Sequence, residues 1–157
     1  LYADHFLITP LHAGRDFHNI ALAQFNPAFC LAVAMVKGRC TVDDFTDEGL
    51  KDPKVGAFAN SKVEARFDEA LTRLGNEKLT LPIRIRIKMK DGKEYSKEVI
   101  YAKGHPRNPM SAAEMKEKFD NLATRVISKE KAKELYETVR GLDKARDIAR
   151  LSQLLRG

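Results

Sequence analysis

The chain has 157 residues, of which 43% are apolar and 32% charged, and its formal net charge is +6. This composition is typical of one globular domain with a core of its own and excludes a disordered chain. The longest apolar run, residues 28–36, is too short to span a bilayer, and we see no secretory signal. We therefore expect a cytoplasmic protein without a membrane partner. Because the chain begins at Leu1 rather than at methionine, we also expect a fragment or a processed product.

The first half of the chain predicts a strand end at residues 5–8 and then helices joined by short polar segments. A buried helix is predicted over 25–36, where it is stopped by Gly38. Thr41 can cap a short helix. Asp52 and the proline after it mark a further helix start, since proline at the first helical position loses no needed hydrogen bond. A strand is predicted near residues 62–67.

The strongest local signal is a β-hairpin over residues 81–101, which turns at Asp91-Gly92. A two-residue turn would mix apolar and charged side chains on each face. A type I turn closed by a glycine bulge instead places isoleucines opposite Tyr95 and Val99, and cations opposite glutamates. We therefore predict the second register, with the pairs Ile87–Tyr95, Ile83–Val99, Lys88–Glu94 and Arg84–Glu98.

Three amphipathic helices are predicted after the hairpin. Ser111 and Glu114 form a capping box at the start of the first helix, the second begins at Ser128, and the third begins near Asp143. The pattern as a whole predicts an α+β two-layer sandwich, in which helices pack on an antiparallel sheet. We expect a single domain over 1–157, with residues 125–157 as a C-terminal helical extension.

A self-sufficient catalytic set is missing from the sequence. No glycine-rich phosphate loop, zinc-binding H-E-x-x-H or nucleophile elbow occurs, so we predict neither a metal nor a cofactor. Cys30 and Cys40 predict two buried or half-buried thiols rather than a disulfide framework. The roles of His5, His12 and His18 stay open, because their spacing gives no metal geometry.

Four cations alternate along the first strand of the hairpin, which invites comparison with RNA-binding sheets. Those sheets carry aromatic rings between the cations on the exposed face, where bases stack. The hairpin tyrosines, Tyr95 and Tyr101, fall on the apolar face in the predicted register. We therefore expect a solvated sheet face and no nucleic-acid partner. The four cations are Arg84, Arg86, Lys88 and Lys90.

Three stretches carry a more specific pattern when they are taken in order. Residues 23–38 contain AQFNPAF and then AVAMVKG, residues 41–55 contain TVDDF and LKDPKV, and residues 90–119 contain KDG, KGHPRNP and KEKF. Together they resemble the C-terminal part of the MmgE/PrpD family, whose pattern there is A-K-F-S-x-x-Y, an apolar helix, a d-p-x-v segment and a k-D-G hairpin. The resemblance covers nearly the whole chain.

The resemblance implies the lid domain of a larger enzyme, in which a preceding helical domain supplies the catalytic residues and most of a homodimer contact. The family dehydrates, decarboxylates or epimerises small di- or tricarboxylates by proton transfer next to a carboxylate, without a metal or organic cofactor. A lid contributes closure, exclusion of water and a few contacts. We therefore expect this domain alone not to turn over substrate.

The positions that the resemblance carries to the substrate side are Gln24, Phe25, Asn26 and Phe29, and His105 is a further candidate. Glutamine, asparagine and phenylalanine replace the Lys, Ser and Tyr of the family pattern, and the last change removes a hydroxyl group. Phe25 and Phe29 lie four residues apart on one helical face, which is equally consistent with packing in a core. Asn26 can simply cap a helix, and His105 can simply belong to a turn.

Two classes of function follow from these observations. The first is a substrate-closing lid of a carboxylate lyase or isomerase. The alternative is a stand-alone binding or interaction module that has the same fold and no catalysis. A large exposed apolar patch would favour the first, and a polar surface would favour the second.

Overall fold

The computed structural model describes residues 1–3, 17 and 19–156. These residues form two compact units, Leu1–Ala102 and Lys103–Gly157. The first unit contains β1 (Tyr2–Ala3), α1 (Ile20–Gln24), α2 (Pro27–Lys37), a 3₁₀ turn (Val42–Asp44), α3 (Asp47–Leu50), α4 (Pro53–Lys62), β2 (Arg66–Phe67), α5 (Glu69–Lys78), β3 (Ile83–Lys88) and β4 (Glu94–Val99). The second contains α6 (Ala112–Ala123), α7 (Lys129–Arg140), a 3₁₀ turn (Leu142–Lys144) and α8 (Ala149–Leu155).

The first unit holds a four-stranded mixed sheet in the order β2-β1-β3-β4, which confirms the α+β class. The predicted antiparallel pairing holds between β1 and β3 and between β3 and β4. It is wrong for β1 and β2, which pair in parallel. Parallel neighbours need a long crossover, and the chain between these two strands carries helices α1 to α4.

The hairpin has the predicted register, with Ile87 opposite Tyr95 and Ile83 opposite Val99. Gly92 has a φ of 85° and its N–H donates to the Met89 carbonyl at 3.1 Å, as a turn closed by a glycine bulge requires. The hairpin face that carries the isoleucines and Tyr95 is more exposed than predicted. Tyr95, which lies on the edge strand β4, is 58% exposed.

Helix boundaries follow their caps. Helix α2 begins at Pro27 behind the cap Asn26 and ends at Gly38, whose φ of 71° is left-handed. Helix α4 begins at Pro53 behind Asp52, whose Oδ1 accepts a hydrogen bond from the Lys54 N–H at 2.9 Å. Helix α5 has no counterpart among the elements predicted from the sequence. Asp68 caps this helix by accepting from the N–H groups of its second and third residues.

The largest buried cluster of the first unit joins α1, α2 and α4. Phe29 and Val33 from α2 pack there against Val55 and Ala59 from α4, and all four are 0% exposed. Helix α5 contributes a separate contact with β1. The main core of this unit is therefore a helix–helix core beside the sheet.

In the second unit, the predicted capping box of α6 is present. The Ser111 N–H donates to Glu114 Oε2 at 2.7 Å and the Glu114 N–H donates to Ser111 Oγ at 3.2 Å. The hydrogen bond from the Ser111 N–H, together with Lys103 at 3.0 Å, lowers the pKa of Glu114 to about 2. Glu114 thus carries a full negative charge at the positive end of the helix.

The C-terminal helices differ in part from the prediction. The last helix begins at Ala149 rather than near Asp143, because a 3₁₀ turn occupies residues 142–144. Its buried residue is Leu154, whereas Leu155 is 66% exposed. The predicted single domain with an extension over 125–157 stays a prediction. Within the described part of the chain, no helix is both long enough and apolar enough to cross a membrane.

Candidate functional site

Three of the predicted substrate-side residues form the corner between α1 and α2, which we call the 24–26 corner. Gln24 ends α1 and is exposed, Phe25 is 63% exposed, and Asn26 is 3% exposed. The Asn26 Oδ1 accepts a hydrogen bond from the Phe29 N–H at 3.0 Å, which fixes the start of α2. The Cys30 thiol in α2 donates a hydrogen bond to the Gln24 carbonyl at 3.5 Å, which joins the end of α1 to α2. The largely exposed Phe25 therefore lies between two residues whose positions are fixed by hydrogen bonds.

The fourth predicted residue, Phe29, lies in the core. Its side chain is 0% exposed, and its ring centroid lies 5.1 Å from that of Phe17 and 5.9 Å from that of Phe45. Tilted rings at these separations are favourable aromatic packing. The structure thus gives Phe29 the packing role that the sequence left as an alternative.

His105, the fifth predicted residue, belongs to the second unit and lies in the turn before α6. Its Nδ1 accepts a hydrogen bond from the Arg107 N–H at 3.1 Å, and its carbonyl accepts from the Asn108 N–H at 2.8 Å. Both bonds stabilise the turn, so His105 has at least a local structural role.

His5, His12 and His18 lie outside the described residues. Among the residues that are described, no group of three histidine, cysteine, aspartate or glutamate side chains is placed to hold a metal ion.

The two cysteines are free thiols in the structure, and Cys40 is exposed rather than half-buried as predicted. Burial, aided by the neighbouring Cys40, raises the pKa of Cys30 to about 12. A thiol with this pKa stays protonated at neutral pH and is a poor nucleophile. Cys30 therefore supports the corner rather than performing covalent chemistry.

A buried carboxylate that is not among the predicted residues is that of Asp44, which is 1% exposed. It accepts hydrogen bonds from the Thr41 N–H at 2.8 Å, from Lys37 Nζ at 3.2 Å and from Arg39 NH1 at 3.1 Å. Lys37 Nζ also lies 3.5 Å from the Asp52 carboxylate at the start of α4. The cluster joins the end of α2 to the 3₁₀ turn and to the start of α4. The sequence pattern that could have indicated this cluster is the T-x-x-D spacing of Thr41 and Asp44, which follows the cations Lys37 and Arg39.

The chemistry of the 24–26 corner is limited by its residue types. The side chains of Gln24, Phe25 and Asn26 carry no group that exchanges a proton near neutral pH. They can contact and orient a ligand through an amide and an aromatic face, but they cannot serve as a general base.

Comparison with known proteins gives the same family as the sequence patterns. A family model described as the MmgE/PrpD C-terminal domain matches residues 7–144. Two cis-aconitate decarboxylase sequences of Aspergillus terreus are similar, at 32% and 31% identity over 143 residues. Each alignment covers 90% of this chain, which spans only 28% of the relative's length. Because the family model matches most of the sequence, the chain belongs to the MmgE/PrpD family and carries its C-terminal domain.

Proposed function

We propose that this chain is the substrate-closing domain of an enzyme that transfers a proton next to a carboxylate group of a small di- or tricarboxylate. The family, and the decarboxylation of cis-aconitate for which the similar proteins are named, support this class of substrate. The 24–26 corner would then face the substrate. The proton-transferring groups would come from the part of the natural polypeptide that corresponds to the remaining length of the relatives.

The observation that carries the proposal is the exposure of Phe25 at 63% next to the buried, hydrogen-bonded Asn26. The cap hydrogen bond fixes the backbone beside this ring, so the ring presents an apolar surface that a substrate or a neighbouring part of the enzyme can cover. Closing such a ring over a substrate excludes water and strengthens the electrostatic interactions inside the site.

The proposal predicts that the 157-residue chain alone does not decarboxylate cis-aconitate or dehydrate 2-methylcitrate. Carbon dioxide release and product formation can be followed by mass spectrometry, with the longer natural polypeptide as the positive control. Measurable turnover by the isolated chain would contradict the proposal that the proton-transferring groups lie outside this domain.

The proposal also predicts that Phe25→Ala in the natural polypeptide lowers kcat/KM for its carboxylate substrate by roughly tenfold or more, because closure loses an apolar contact. The matched control is Phe67→Ala, which removes another half-exposed ring of the same unit, 51% exposed. Steady-state kinetics of both variants decide the question. Equal effects of the two substitutions would argue against a substrate-facing corner.

A further inference from the structure

A second surface of the first unit lies away from the 24–26 corner. It is an open groove with a volume of about 1290 Å³, which runs between helices α2 and α4 and the strands β1 and β3. This volume exceeds the roughly 300–1,000 Å³ of most small-molecule pockets. The groove therefore has the size for a polypeptide segment.

The groove uses the face of α2 that is opposite to the core. At about 100° per residue, Leu31 and Met35 lie on the far side of the helix from Phe29 and Val33. Phe29 and Val33 are 0% exposed, whereas Met35 is 44% exposed. Leu31 and Met35 line the groove together with further apolar side chains, among them Phe58, Ile87 and Met89.

The rim of the groove is basic. Its cations are Lys62, Arg66, Arg86, Lys88 and Lys90, and its acids are Glu64, Asp91 and Glu94. Two of these acids have cations of their own: Glu64 binds Arg66 at 2.9 Å and Asp91 lies 3.1 Å from Lys93, outside the groove.

Four of the five rim cations have no carboxylate partner among the residues that the structure describes. Among the described residues, no carboxylate oxygen lies within 4.0 Å of Lys62, Arg86, Lys88 or Lys90. Lys88 and Glu94 are therefore opposite each other in the sheet, as the register predicts, but their side chains form no ion pair. Arg84, by contrast, contacts Glu98 at 2.8 Å and Asp68 at 2.9 Å, on the part of β3 outside the groove.

Arg86 is held in place over an aromatic ring. Its guanidinium carbon lies 5.6 Å from the ring centre of Tyr2, within the range of a cation–π contact. This contact holds the Arg86 guanidinium beside the Tyr2 ring, and both residues line the groove.

We propose that this groove binds an amphipathic helix of a partner protein, with an apolar stripe on one face and carboxylates on both sides of the stripe. The apolar floor would receive the stripe, and the rim cations would receive the flanking acids. Methionines such as Met35 and Met89 are common in grooves that bind helices, because their side chains adapt to the bound surface. Of the aromatic side chains that line the groove, Phe58 is half-buried against the core and the Tyr2 ring is contacted by Arg86, which favours a polypeptide over stacked RNA bases.

The probe is a synthetic helical peptide of roughly 18 residues, with leucines at i, i+3, i+4 and i+7 spacing, glutamates beside them and alanine elsewhere. Its binding to the 157-residue chain is measured by fluorescence anisotropy. A second peptide replaces every glutamate by lysine and keeps the leucines. We expect saturable one-to-one binding of the acidic peptide and at least tenfold weaker binding of the basic peptide.

Variants of the chain locate the binding. Met35→Glu in the floor and Lys88→Glu on the rim are each expected to weaken binding of the acidic peptide by about tenfold or more. The matched control is Lys97→Glu on β4, which makes the same charge change outside the groove and is expected to change affinity less than about twofold. Circular dichroism checks that each variant is folded, and the exposed Lys88 provides the test if Met35→Glu does not fold.

Several outcomes would overturn the proposal. Equal binding of the acidic and basic peptides, or unchanged binding by both groove variants, would do so. Tighter binding of a single-stranded oligouridylate that is lost in Lys88→Glu would assign the groove to nucleic acid. Self-association that Met35→Glu abolishes would assign it to a second copy. None of these results changes the turnover assay of the proposed function, because the groove and the 24–26 corner share no residue.

Discussion

Replacing Phe29 by alanine is expected to lower the free energy of unfolding of the first unit by about 3–5 kcal/mol. The ring is 0% exposed and packs against Phe17 and Phe45, so its removal leaves a cavity between α2 and the segments around it. Urea unfolding followed by circular dichroism gives the difference in free energy.

The matched control is Phe25→Ala, which removes the same side chain from the 63% exposed position at the corner. We expect this substitution to change the free energy of unfolding by less than about 1 kcal/mol. A small loss for Phe29→Ala would contradict the core assignment and return Phe29 to the substrate side. The difference in unfolding free energy between the two variants therefore shows which of the two phenylalanines, Phe29 or Phe25, stabilises the fold.

The features that the sequence predicted best are those that depend on neighbouring residues. The caps at Asn26, Asp52 and Ser111 and the register of the hairpin each follow from side chains within a few positions of one another. Local hydrogen bonds and the alternation of side chains decide these features. They could be predicted without knowing what else packs nearby.

Features that depend on distant parts of the chain were predicted less well. The parallel pairing of β1 with β2 joins residues that are more than sixty positions apart, so no local pattern reports it. Burial also depends on the partner surface. Leu154 is buried and its neighbour Leu155 is 66% exposed, although both are leucines in one short helix. Periodicity shows that a helix has an apolar face but not which edge of that face is covered.

The candidate site shows the same division. The resemblance brought Gln24, Phe25, Asn26 and Phe29 together as a motif, but a motif does not tell which of its aromatic rings points inward. That choice is made by Phe17 and Phe45, which lie outside the motif. The groove was missed because its lining residues come from six separate elements, two helices and four strands.

Asp44→Ala is expected to destabilise the first unit by about 2–4 kcal/mol, because it leaves the Thr41 N–H without its acceptor and removes the buried carboxylate that Lys37 and Arg39 share. The matched control is Glu77→Ala, which removes an exposed carboxylate that lies 3.5 Å from Lys78. An exposed pair of this kind is worth no more than about 1 kcal/mol. Urea unfolding of both variants measures the contrast, and comparable losses would show that Asp44 acts as an ordinary surface charge.

The contribution of Asp44 should depend on pH in a defined direction. Burial alone raises the pKa of this carboxyl, but the hydrogen bonds from Thr41 and Lys37 and the charge of Arg39 outweigh it and hold the pKa below its usual 3.8. A carboxyl with a lowered folded-state pKa stabilises the fold fully above its unfolded pKa, and this stabilisation is lost as the pH falls through the folded value. The difference in unfolding free energy between the wild-type chain and Asp44→Ala should therefore stay constant from about pH 7 to about pH 5 and shrink below about pH 4. A difference that grows as the pH falls would mean that the protonated carboxyl is the stabilising form, and that the cations around Asp44 do not hold the fold together.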